Sequence, residues 1–239
     1  MEATILLARR PEAADDTWLR RSLVALALRF RDARVRLLVA DAEADAGAAG
    51  VRATPPPASF DTLVLIERVK SRWATVPTAT ATQHDDALDW LAGARGYRAE
   101  VRDLRPRQAA PGVAQRSSGL VFAAITVRAR RLSHAEFDEH WRDRHAPLAL
   151  EHHAGLCGYE QLVIAGALTA NTAPIDGIAL LHFPSRDAFA QRFYDSDAGR
   201  DALLADTQRF LDVSRCEAAL MSEYGVQPRA MGARSASAT

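Results

Sequence analysis

Short apolar runs of strand length alternate along the chain with longer stretches of helical period, and the same order of elements occurs twice. Residues 4–8 (TILLA) form the first run, ended by Arg9, Arg10 and Pro11. Asp15, Asp16 and Thr17 then offer N-caps for a helix to about residue 31, with Trp18, Leu23, Leu26 and Phe30 spaced as a buried stripe. Residues 35–40 (VRLLVA) and 62–69 (TLVLIERV) read as the second and third strands, residues 85–94 as a short helix, and residues 97–104 (YRAEVRDL) as a fourth strand with one wet face. Between the second and third strands, residues 41–59 turn to Ala, Gly, Asp and consecutive prolines, which suits a loop and neither a helix nor a central strand. Strand, helix, strand, strand, helix, strand is the split βαβ order of a ferredoxin-like sheet.

Residues 106–118 carry prolines, a glycine and polar residues without periodicity, as a linker would. The order then begins again. Residues 120–127 (LVFAAITV) are apolar on both faces, a helical stretch starts at Ser133, and residues 159–165, 178–183 and 216–224 read as strands. Residues 185–212 read as helix in two pieces, interrupted near residues 195–197. The expected fold class is α+β, with two tandem ferredoxin-like βαββαβ repeats about 116 to 120 residues apart. The expected division is a first repeat over 1–105, the linker 106–118, a second repeat over 119–226, and a disordered tail over 227–239. A four-stranded sheet with helices on one face leaves the other face open, so two such sheets can close on each other as an α+β barrel. Closure inside one chain and closure between the chains of a homodimer both satisfy the pattern.

Composition narrows the partners. Thirty basic residues balance thirty acidic ones, which gives no broad electrostatic footprint for nucleic acid or an anionic membrane. No apolar run approaches the roughly 20 residues that span a bilayer. The two cysteines have no CxxC spacing, and the N-terminus lacks the pattern of a secretory leader, so a cytoplasmic protein with a small-molecule partner is the expectation.

Residues 133–161 hold five of the seven histidines. Ser133 and Glu136 make an S-x-x-E capping box that starts a helix. At about 100° per residue, Phe137, Trp141, His145, Leu148 and His152 fall in one stripe, while His140 and His153 lie off its centre. Pro147 predicts a helix break near His145 and Ala146, because proline disfavours helical geometry in the residue before it. A break there could aim the His145 imidazole out of the helix as a general base, with His152 as a second candidate; the competing expectation is a capping role for His145.

The string FDEHWRDRHAPLALEHHAGLCGYEQL and the later DGIALLHFPSRDAFAQRFYDSDAGRDALLADTQRFLD resemble the EthD family over residues 119–226. Trp141, His145, Pro147, Leu148 and Tyr159 match its motif, whereas the first half has the element order without the motif and looks like a degenerate repeat. The resemblance implies a ferredoxin-like domain of the dimeric α+β barrel superfamily that holds small molecules. It further implies a cofactor-independent lyase or cyclase acting on an apolar or aromatic, polyketide-like molecule, or a cofactor-free monooxygenase. In that reading His145 is the base and Tyr159 a hydrogen-bond donor to an enolate or phenolate. Phe137, Trp141, Phe122, His182 and Phe183, with Leu148 of the motif, form the pocket. By phase alone His182 reads as a buried, satisfied histidine.

Other chemistries find less support. The five clustered histidines include no pair three or four apart, and HExxH and CxxC are missing, so no metal is expected. Haem is not required by any residue pattern, and no GxGxxG, Walker loop or GxSxG occurs. Cys157, beside Gly158, is expected as a buried thiol. The remaining competitor is a non-catalytic binding or accessory protein.

Overall fold

Strands that alternate in and out with period two can close into a barrel only if every edge finds a partner, and this chain supplies all the edges itself. In a computed structural model, described for residues 1–31, 33–45, 58–68, 86–107, 114–170 and 172–226, the strands are β1 (Glu2–Ala8), β2 (Ala33–Val39), β3 (Thr62–Arg68), β4 (Arg95–Arg105), β5 (Leu120–Thr126), β6 (Gly158–Ala167), β7 (Gly177–Phe183) and β8 (Glu217–Val226). They form one closed barrel in the order β1-β3-β2-β8-β5-β7-β6-β4. Each half has the ferredoxin-like order, β4-β1-β3-β2 and β8-β5-β7-β6. The halves meet at two equivalent seams, β2 with β8 and β4 with β6, both antiparallel. Closure is therefore inside one chain.

The inward positions build the lumen core from both halves, with Ile5, Leu7, Leu65, Ala99, Ile125, Leu162, Leu180 and Met221 buried together. The outward positions pack under helices. On the first half these are α1 (Asp16–Arg29), capped by the Asp15 carboxylate accepting from Trp18 N, and a 3-10 helix (Asp86–Leu91), while a short turn α2 (Ala42–Asp45) packs against β8. On the second half they are α3 (His134–His140), α4 (Ala146–His152), α5 (Arg186–Arg192) and α6 (Asp197–Phe210). In β5 the two faces separate cleanly. Val121, Ala123 and Ile125 face the lumen, whereas Leu120, Phe122 and Ala124 face the helices.

Several local expectations change. The loop after β2 begins with the α2 turn, and its residues 46–57 lie outside the described residues, as does the tail 227–239. The short helix before β4 is a 3-10 helix. Of the 106–118 segment, residues 108–113 are outside the described residues; residues 114–117 lie along β8, with Ala114 N donating to Gly225 O and Ser117 N to Glu223 O. Cys157 is exposed, because it precedes β6 at the barrel rim, with Sγ donating to His182 O at 3.2 Å. Pro147 breaks nothing. The chain keeps helical dihedrals through His145 and Ala146, because a π turn (Trp141–His145) runs directly into α4 and places Pro147 in that helix's first turn, where no amide donor is needed.

One end of the lumen is charged. Arg36 of β2 donates from Nη1 to Glu160 (2.8 Å) and Glu223 (3.1 Å), and from Nη2 to Glu67 (3.0 Å). Arg107 also pairs with Glu223, and His182 Nε2 meets Glu160 at 3.1 Å. Burial opposes the charge on Arg36, but the three carboxylates outweigh it and hold the guanidinium protonated. Among the described residues no helix is long and apolar enough to cross a membrane.

Candidate functional site

The Ser133–Glu136 box starts α3 as expected, with Ser133 Oγ accepting from Glu136 N and Glu136 Oε2 accepting from Ser133 N. Phe137 and Trp141 then bury against the outer face of the sheet. The indole lies so close to β7 that a Cβ on Gly177 would sit 2.3 Å from Trp141 Cζ3. The Trp141 carbonyl accepts twice, from Ala146 N in the π turn and from Gln161 Nε2 of β6 at 3.1 Å.

This turn changes which residues share a face. In a continuous α-helix, positions five apart point about 140° away from each other. The wider π turn brings them together, so His140 and His145 converge on one carboxylate, Asp206 of α6. His140 Nε2 lies 2.9 Å from Asp206 Oδ1, and His145 Nδ1 lies 3.0 Å from Oδ2. Both rings rest on Phe210, with centroids 4.8 and 4.9 Å from its ring. Burial pushes the Asp206 carboxyl up, but the hydrogen bonds from His145 and His140 outweigh this and hold it below the ordinary carboxylate range. An ionised carboxylate can only accept, so both imidazoles donate to it. In its neutral form His145 is thereby the Nδ1–H tautomer and His140 the Nε2–H tautomer, which directs His145 Nε2 and His140 Nδ1 away from the carboxylate. The His145 and His140 side chains keep 15% and 13% exposure, against 6% for Asp206, so the imidazoles are the more accessible members of the cluster.

The other expected site residues divide among four places. Phe137 and Trp141 pack with Phe210 beside the histidines. Tyr159 is buried under the same layer, its hydroxyl accepting from Gln161 Nε2 at 3.3 Å, and burial pushes its phenol up to about 12. Phe122 and Phe183 belong to a second aromatic group with Phe189 and Phe193, and Leu148 packs on the same helical layer. His152 turns to Asp195 (3.1 Å) at the start of α6. His182 faces the lumen on the opposite side of the sheet.

The π turn explains His152. It inserts one residue, so the buried positions after it are Ala149 and His153, each one step beyond the expected Leu148 and His152. His153 is the buried histidine, with Nδ1 donating to Phe193 O at 2.6 Å, and burial pushes its pKa down to about 4. Asp206 was missed because it lies 61 residues from His145. Its signal is a carboxylate in phase with Leu203 and Phe210 on an otherwise apolar helical face. The lumen charges had a similar signal, each standing at an inward strand position.

Residues 129–214 match the family model for the EthD domain. That segment, about a third of the chain, is similar to the EthD domain. It contains His140, His145, Asp206 and every expected site residue except Phe122. Among solved structures, the crystal structure of an anthrone oxidase-like protein is 14% identical and covers 97% of this chain and 95% of its own, with a TM-score of 0.57. A candidate monooxygenase from Lactobacillus acidophilus NCFM is 7% identical over 95% of both chains, with a TM-score of 0.49. The first likeness places the EthD domain and the half that precedes it in one shared barrel fold. No curated protein matches the chain.

Proposed function

We propose that the protein is a cofactor-independent enzyme that moves a proton on a small apolar or aromatic molecule, with His145 as general base. One observation carries this reading: Asp206 engages His145 through Nδ1, which directs Nε2 away from the carboxylate on a partly exposed ring that rests on Phe210. Nε2 takes a proton from an activated carbon, and the imidazolium that forms is stabilised by the ionised Asp206. Loss of that proton leaves an enolate; Tyr159, buried beneath the aromatic layer with its hydroxyl engaged by Gln161, keeps its own proton and stays out of the reaction. Dehydration and cyclisation start from that enolate, and decarboxylation uses the imidazolium to reprotonate the carbanion. His152 stays out of the reaction, since Asp195 engages it elsewhere.

Oxygenation without a cofactor is the second reading. An anthrone is its natural probe, given the anthrone oxidase-like fold relative. Deprotonation at carbon yields a carbanion that dioxygen oxidises to the anthraquinone with loss of water, and it calls on the same base.

The test is His145→Gln, assayed for turnover of a panel of anthrones and β-hydroxy aryl ketones and for thermal stability. Lost turnover with unchanged melting supports the enzyme. Lost stability with unchanged turnover returns His145 to a structural role and favours a binding protein. Native mass spectrometry of the purified chain identifies any small molecule it retains.

A further inference from the structure

The site holds a second imidazole that a single proton abstraction does not need. His140 and His145 occupy the two oxygens of one carboxylate, at 2.9 and 3.0 Å, and each directs its second ring nitrogen away from it. We propose that His140 is the second proton-transfer group of this site, joined to His145 through Asp206 so that the pair carries one proton between two rings. The proposal rests on His145 being the base.

Electrostatics supports a single shared proton. The first proton on either ring is stabilised by the whole charge of Asp206. The second meets both a neutralised carboxylate and a cation no more than about 8 Å away, so it is held less readily than the first. From α6 the rings face Asp206 and the apolar Phe210; beyond the end of α4, His153 acts on His145 but stays neutral through burial.

A pair in this state can take and give a proton in one turnover. The neutral ring removes a proton from substrate carbon, and the C–H electrons form the new carbon–carbon double bond. The imidazolium donates its proton to the oxygen whose bond to carbon breaks, which leaves as water when it is a hydroxyl. Charge on the pair is unchanged, Asp206 stays ionised throughout, and both rings exchange protons with solvent before the next turnover. This arrangement suits reactions that remove a proton at one atom and deliver one at another.

The test needs no substrate. Long-range proton–nitrogen NMR of the full chain labelled with 15N-histidine reads tautomer and titration of each ring. Expected at high pH are the Nδ1–H form of His145 and the Nε2–H form of His140, and on acidification a two-step titration shared by the two. His140→Gln keeps an amide donor for Asp206 but cannot take a proton, so His145 should then titrate in one step at a higher midpoint. Independent titrations in the wild type, or a His145 curve unmoved by His140→Gln, overturns the proposal; the wild-type titration decides alone if the variant does not fold. With a substrate in hand, His140→Gln should lower kcat about 100-fold or more at unchanged melting temperature. If His145→Gln retains turnover, the base assignment falls. If His145 is required but its titration ignores His140, only the coupling falls.

Discussion

His145 and His153 sit eight residues apart on one helical segment and meet opposite environments. His145 is partly exposed and faces a carboxylate, whereas His153 is buried between Phe193 and Tyr194 with a carbonyl as its partner. His153 stays neutral in the folded chain down to about 4 but takes a proton near the ordinary value of 6.5 when unfolded. Between those values the unfolded state binds more protons, so acid favours unfolding. Its contribution is complete above 6.5 and is lost as pH falls through that window, at up to about 1.4 kcal/mol per pH unit. His182, also depressed by burial, acts in the same direction. Denaturant titrations at pH 7, 6, 5 and 4.5 should show this slope, and His153→Asn, which retains a donor for the Phe193 carbonyl, should flatten it. Asp206→Asn is a second residue-scale prediction. An amide cannot accept from both imidazoles through two oxygens, so one ring loses its tautomer, and kcat/KM should fall by about 100-fold or more with binding of substrate little changed.

The element that carries the site is the helix from Ser133 to His152, and its π turn is one residue longer than an α turn. Removing Asp143, an exposed residue of that turn, should therefore restore a continuous α-helix. The two histidines would then be four apart, the downstream faces would be preserved, and unfolding free energy should stay within about 1 kcal/mol of wild type. Inserting an alanine at the same place should rotate α4 by about 100°, expose Ala149 and His153, and abolish cooperative unfolding at the wild-type midpoint. Either outcome reversed would show that the turn is not a one-residue insertion. Gly177→Ala checks the other side of the helix, because the added methyl would strike the Trp141 ring at 2.3 and 2.6 Å; a loss of about 1–3 kcal/mol is expected in chemical denaturation. The capping box, Phe137 and Trp141 were legible because they depend on residues within one helical turn. The π turn was not, since the Trp141 carbonyl that forms it is also held by Gln161 from another element.

At the scale of the molecule the halves are joined by the lumen charges as well as by the seams. Arg36 on the first half reaches Glu160 and Glu223 on the second, all of them buried. Arg36→Met should leave three buried carboxylates without their shared cation and cost about 3–5 kcal/mol in denaturant unfolding, far more than a solvent-exposed arginine would. The sequence by itself determined the two ferredoxin-like repeats and the EthD resemblance of the second, because period, caps and motif spacing are local properties of the chain. Only the tertiary structure decided that the barrel closes within one chain, that His153 and not His152 is buried, and that Asp206 joins His140 to His145. Each of these depends on groups brought together from distant positions: strand edges that pair across the two halves, a π turn held from β6, and a carboxylate delivered by α6.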